Sequence, residues 1–164
     1  MKFKIEQIAI CLGGTPETSV AFDLLNDLGA TEWSFDTVLA QGEVFGRKAG
    51  NAAKLAFNYD ICSGKEFEVL QYVAGTNWVE HGPHVGQGPP RVSHFGMHVT
   101  AEELDQWRAF FAERGIAVAQ EVFTESHSNP VIAGKRWYNY VIFDTVNLLG
   151  TDLKFIVRRD HPPV

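Results

Sequence analysis

Ile5-Glu6-Gln7-Ile8-Ala9-Ile10-Cys11-Leu12 and, 87 positions later, Val92-Ser93-His94-Phe95-Gly96-Met97-His98-Val99 are the stretches whose reading decides the fold. Each alternates, so that one set of side chains packs and the other faces elsewhere. Each leads into a short helix closed by a glycine, Gly29 in the first half and Gly115 in the second. Each half then runs through further strand-like segments, ending at Glu66-Phe67-Glu68-Val69-Leu70-Gln71 and at Asp152-Leu153-Lys154-Phe155-Ile156-Val157. The chain therefore repeats one order: strand, helix, strand, strand, strand. A module this small cannot bury its sheet alone, so the halves are expected to share one structure. A site between them would draw on equivalent positions of both, which are Gln7, Glu68, His94 and Lys154.

Local signals agree with this reading. In the first half Thr15 suits an N-cap and Pro16 the first helical position, where a missing N–H costs nothing. Val20, Leu24, Leu25 and Leu28 recur at helical spacing and predict one buried stripe. Phe35 to Phe45, Ala52 to Tyr59 and Phe67 to Val73 predict three strands separated by glycine-containing turns. In the second half Thr100-Ala101-Glu102-Glu103 is a capping box, and Leu104, Trp107, Phe110 and Phe111 form the stripe. Strands are expected at Val118 to Thr124, Trp137 to Phe143 and Leu153 to Arg158. The expected organisation is a first module over 1–75, a Gly/Pro-rich linker over 76–91 that carries Trp78, His81 and His84, and a second module over 92–164.

Composition excludes several classes. With 164 residues, 45% of them hydrophobic, the chain can bury a sizeable core. Its net charge of -6 gives no basic footprint, so no nucleic-acid partner is expected. No apolar run approaches the roughly 20 residues that span a bilayer, and the start lacks a secretory pattern. The two cysteines, Cys11 and Cys62, lie in different segments without C-x-x-C spacing, which suits reduced thiols and the cytoplasm. There is no G-x-S-x-G, no P-loop and no dinucleotide fingerprint.

The double βαβββ pattern resembles the vicinal oxygen chelate superfamily over nearly the whole chain outside the linker. The fragments that carry the resemblance are Ser93-His94-Phe95-Gly96-Met97-His98-Val99 and Lys65-Glu66-Phe67-Glu68-Val69-Leu70. It implies an α+β fold in which two βαβββ modules pair into a curled mixed sheet around a central cavity. It also implies that the first and last strands of each module supply metal ligands. Carried over residue by residue, those are Gln7, Glu68 and His94, a set closer to the glyoxalase type than to the two-histidine, one-carboxylate set of non-haem iron oxygenases. Such a set can hold zinc, nickel, manganese or iron and stabilise an enediolate.

The fourth position departs from the pattern. Where a glutamate is expected this chain has Lys154, whose ammonium has no lone pair to give. Either Asp152, two residues earlier on the same strand face, substitutes for it, or Lys154 pairs with Glu68 and fills a vestigial site without metal. His98 shares the strand face of His94. His127, in the polar loop Ser126 to Lys135, and Trp137, on an aromatic strand, complete the expected pocket; which alternating set of that strand faces inward is not fixed by the sequence. Three functions follow. One is a metal-dependent lyase or isomerase acting on a small oxygen-bearing substrate. Another is a metal-free small-molecule binder of the antibiotic-binding type. The third is a structural or regulatory descendant of the fold with no small ligand. A homodimer is expected, and the modules could pair within one chain or between two.

Overall fold

The computed structural model describes residues 1–12, 18–74, 90–126, 131 and 133–162. Thr15, Pro16, Trp78, His81, His84 and His127 lie outside the described residues. The first half supplies β1 (Gln7–Cys11), α1 (Thr18–Asp27), β2 (Ser34–Val44), β3 (Arg47–Asn58) and β4 (Glu66–Ala74). The second supplies β5 (Arg91–His98), α2 (Ala101–Ala112), β6 (Val118–Ser126), β7 (Trp137–Phe143), a short α3 (Val146–Leu149) and β8 (Asp152–Arg159). The expected strands are all present. The one unanticipated element, α3, takes up the long stretch before Asp152.

The eight strands close into a barrel in the order β1-β4-β3-β2-β6-β7-β8-β5. Within each half the first and last strands run parallel: Ala9 opposes Glu68 in one, Gly96 opposes Lys154 in the other. The halves meet at two antiparallel seams within one chain, β1 with β5 and β2 with β6. At the first seam Gln7 opposes Gly96 and Ala9 opposes His94. Those two pairings exchange under the repeat, which is the register of an approximate two-fold axis. The equivalence of Lys154 and Glu68 therefore holds despite α3.

Strand parity sorts side chains into an interior and two outer layers. Ala9, Cys11, Val38, Leu55 and Leu70 pack inside the barrel. Outside, α2 lays Leu104, Trp107 and Phe111 onto Met97, Val141, Phe143 and Phe155, with the Phe111 and Phe143 rings stacked at 4.2 Å. The capping box that starts α2 is formed, Glu103 N–H donating to Thr100 Oγ1 at 3.1 Å and Thr100 N–H to Glu103 Oε2 at 2.8 Å.

The other helix corrects the sequence reading. Val20 and Leu24 on α1 and Leu28 just beyond it are exposed, at 59%, 59% and 66%; of the expected stripe Leu25 faces the sheet, joined by Ala21 and Phe22. The reason is the Phe22 ring, which packs edge-on to Trp33 at 4.9 Å and turns the helix about its axis relative to the expected stripe. Among the described residues no helix is long and apolar enough to cross a membrane.

The β2–β6 seam is set by a close backbone approach. A Cβ on Gly42 would collide with the Glu121 carbonyl oxygen and lie 2.7 Å from Val122 Cα. Neither is the end of a flexible side chain, so the strands would have to part. Gly42→Ala is expected to lose on the order of 2 kcal/mol in urea unfolding. Gly50→Ala, whose Cβ would meet only the Ala40 carbonyl at 3.5 Å, should stay within about 0.5 kcal/mol of wild type. Equal losses at both positions would show that the seam does not depend on Gly42.

Candidate functional site

Four residues from four strands converge inside the barrel because each lies on the inward parity of its strand. Gln7 on β1, Glu68 on β4, His94 on β5 and Lys154 on β8 are all buried, at 2%, 2%, 3% and 5% exposure. His94 Nε2 lies 3.0 Å from Gln7 Oε1 and 3.1 Å from Glu68 Oε2. Lys154 Nζ lies 3.4 Å from the same Glu68 oxygen and 4.3 Å from the centre of the Tyr140 ring. The sequence thus named all four members of this cluster. Gly96 makes room for it: a Cβ there would sit 2.7 Å from Gln7 Oε1.

The hydrogen bonds fix the state of each group. The Gln7 amide nitrogen donates to Glu66 Oε1, so its oxygen must face His94. Nε2 of His94 therefore meets two acceptors and carries the proton. Nδ1 is left to accept from the Ser93 hydroxyl at 3.1 Å. Burial, and then the Lys154 charge, hold the His94 pKa below its ordinary 6.5, outweighing the opposing pull of Glu68. The imidazole is neutral at pH 7. Burial alone would raise the Glu68 carboxyl, but the Lys154 ammonium and the His94 hydrogen bond reverse this and bring it down to about 2.

This arrangement does not fit a resident divalent ion. The imidazole nitrogen that would ligate carries a proton shared between Gln7 and Glu68, and the fourth position holds an ammonium bonded to the carboxylate. A divalent ion would have to displace both and sit beside a fixed positive charge. Asp152 does not make up the deficit. It is buried, and its Oδ1 accepts the Thr145 N–H at 3.3 Å, holding the α3 turn. Among the described residues no three His, Cys, Asp or Glu side chains form a metal-sized group.

Above the cluster the barrel opens into a cavity of about 360 Å³, while only about 40 Å³ is left around Glu68, His94 and Lys154. Gln7 and Tyr140 line the open cavity, together with Asp36, Phe57, Glu66 and Tyr138. His98 also lines it rather than the inner space, and its ring pairs with Glu6 at 3.3 Å. Trp137 does not belong to it. Tyr138 and Tyr140 take the inward parity of β7, and Trp137 shares the outer face with Val141 and Phe143, two residues of the core beneath α2. Sequence reasoning missed Asp36, Glu66 and Tyr59. The available signal was parity: Glu66 stands two residues before Glu68, and Asp36 two before Val38.

No protein-family model matches the chain, and no curated protein matches it. Among solved structures it is similar to a triple mutant of 4-hydroxymandelate synthase from Streptomyces coelicolor, with TM-score 0.48 and 13% identity over 98% of this chain and 50% of that one. It is also similar to a hypothetical protein from Bacillus halodurans C-125, with TM-score 0.48 and 14% identity over 98% of both chains. A methylmalonyl-CoA epimerase variant from Streptomyces coelicolor gives TM-score 0.46 and 11% identity over 94% of this chain and 96% of that one. The fold is a closed mixed barrel of two βαβββ halves. The chain spans half the length of the 4-hydroxymandelate synthase, and at these identities the likeness concerns no more than the course of the backbone.

The buried pair should be visible in the acid limb of stability. A carboxyl held at about 2 against an ordinary 4.5 stabilises the fold above pH 4.5, and that contribution is lost as pH falls from 4.5 towards 2. His94 acts in the same direction: below about pH 6.5 the unfolded chain takes up a proton that the folded one resists. Glu68→Gln leaves Lys154 buried without its counter-charge and should cost about 3–5 kcal/mol at pH 7. The double variant Glu68→Gln with Lys154→Met should recover most of that and flatten the limb below pH 4.5, as read by urea unfolding at a series of pH values. A double variant with the wild-type acid limb would show that the pair is not its source.

Proposed function

We propose that this protein is a metal-independent small-molecule binding protein built on the vicinal oxygen chelate fold, its ligand held in the open cavity above a filled former metal position. The observation that carries this reading is the ion pair of Lys154 and Glu68 at 3.4 Å, with both side chains at least nine-tenths buried. A pair so placed satisfies the charges that a bound ion would otherwise balance. The cavity itself supports a ligand. It is concave, aromatic on one wall and furnished with a few oriented polar groups, as small-molecule sites are. The free cysteines Cys11 and Cys62 support the cytoplasmic setting expected from the sequence, and the outward Val20 and Leu24 on α1, with Leu28 just beyond it, favour the expected homodimer.

A second reading, a metal-dependent lyase or isomerase, draws on one observation. Gln7 Oε1 and Glu68 Oε2 both stand about 3 Å from His94 Nε2, a separation that adjacent ligands of one ion would also have. For that reading Lys154 must lose its proton or swing away.

Elemental analysis and calorimetric titration separate the two. Protein purified without chelator is expected to carry less than about 0.1 equivalent of zinc, nickel, manganese or iron. Lys154→Glu replaces the ammonium with a carboxylate and should bind nickel or zinc at least about tenfold more tightly than wild type. Stoichiometric metal in the wild-type protein would reject the metal-independent reading.

A further inference from the structure

Resting on that reading, we propose that the open cavity is a recognition site for an organic cation, an ammonium or guanidinium group carried on a flat apolar body, seated between the carboxylates of Asp36 and Glu66 and the aromatic wall of Tyr138 and Tyr140.

The mouth of the barrel is sorted by strand. β2 and β4 bring Asp36 and Glu66 to the cavity, and β3 between them contributes Phe57. Across the opening β7 presents Tyr138 and Tyr140, whose rings lie parallel at 5.7 Å, 11° apart. A flat apolar group fits along such a wall, and a positive charge is attracted both to ring faces and to carboxylates.

The two acids are held differently, and both are held as oxygen acceptors. Asp36 is buried to 8% exposure and takes the Thr37 N–H at 2.8 Å, which keeps its carboxylate fixed at the rim of the interior. Glu66 takes the Tyr59 hydroxyl at 2.6 Å on one oxygen and the Gln7 amide on the other. Each oxygen of an ionised carboxylate has a second lone pair, so Glu66 is oriented by these bonds and can still accept from a ligand.

The field in the cavity has the matching sign. The phenol of Tyr140 is pushed well above its usual range by burial and then by Glu68, Tyr138, Glu66 and Asp36. That of Tyr59 is raised by burial and then by its bond to Glu66. Burial penalises a charge of either sign, but the carboxylates among these causes favour a cation. Arg136 also lines the cavity and is the one permanent cation among its described lining residues, against two carboxylates. Deeper in, Lys154 and Glu68 cancel each other. Among the described lining residues, with His98 neutral, the balance is one net negative charge, which suits a monocation.

The test compares benzyltrimethylammonium, benzyl alcohol and phenylacetate, three probes with one phenyl ring and different charge, by NMR titration of the full chain up to about 20 mM. Benzyltrimethylammonium is expected to bind about tenfold or more tightly than benzyl alcohol, and its affinity should fall as salt rises. Asp36→Asn should weaken the cation about three- to tenfold and leave benzyl alcohol unchanged, and Tyr138→Ala should weaken both. Equal affinity for cation and alcohol, or preference for phenylacetate through Arg136, would overturn the cation inference while leaving a binding cavity in place. No shift with any of the three at residues lining the cavity would remove both the inference and the binding reading beneath it.

Discussion

Lys154 sits inside the barrel with its ammonium against the Glu68 carboxylate, and the state of the surrounding interior follows from that contact. An ion pair removed from water is stable only if each charge is compensated and the remaining hydrogen-bonding capacity is used. Here the same carboxylate oxygen also receives the His94 Nε2–H, and the Tyr140 ring lies beneath the ammonium. Because the ammonium is positive, His94 resists a second proton; because Glu68 is paired, it stays ionised in a buried place. One lysine thereby bears on the ionisation of both Glu68 and His94.

That contact exists because the barrel closes within one chain. β1 and β4 belong to the first half, β5 and β8 to the second, and only the β1–β5 seam brings their inward faces together. The repeat makes Gln7 equivalent to His94 and Glu68 equivalent to Lys154, so the two-fold relation of backbones carries no relation of charge. The first half contributes an amide and an anion, the second an imidazole and a cation. Four different groups at symmetric positions form a closed hydrogen-bonded set, where four oxygen and nitrogen ligands would have formed an ion site.

Filling the centre moves the usable space outward. The inner volume of about 40 Å³ has room for no more than a few waters, and the larger cavity opens above Gln7 and Tyr140. A chain of hydrogen bonds nevertheless connects the two levels, from the Tyr59 hydroxyl to Glu66, through the Gln7 amide to His94, and on to Glu68 and Lys154. The outer site is therefore built on a rigid floor, and the orientation of Glu66 at the mouth depends on the same amide that fixes the tautomer of His94.

The residues by themselves determined the two βαβββ halves, the strands, the capping box at Thr100 and the equivalence of Gln7 with His94 and of Glu68 with Lys154. These rest on alternation, capping and repetition, which are properties of neighbours along the chain. They did not determine which face of α1 is buried, since Leu25 matches helical spacing with Val20, Leu24 and Leu28 as well as with Ala21 and Phe22, and the choice belongs to Trp33 across the layer. Nor did they determine the inward face of β7, because both Trp137 and Tyr138 alternate with partners of similar size, and only the seat of Val141 and Phe143 under α2 settles the parity. The ion pair itself was legible as a possibility at equivalent positions. Whether lysine and glutamate would meet was decided by closure of the barrel, because a contact between residues 86 positions apart depends on the register of strands that no local signal encodes.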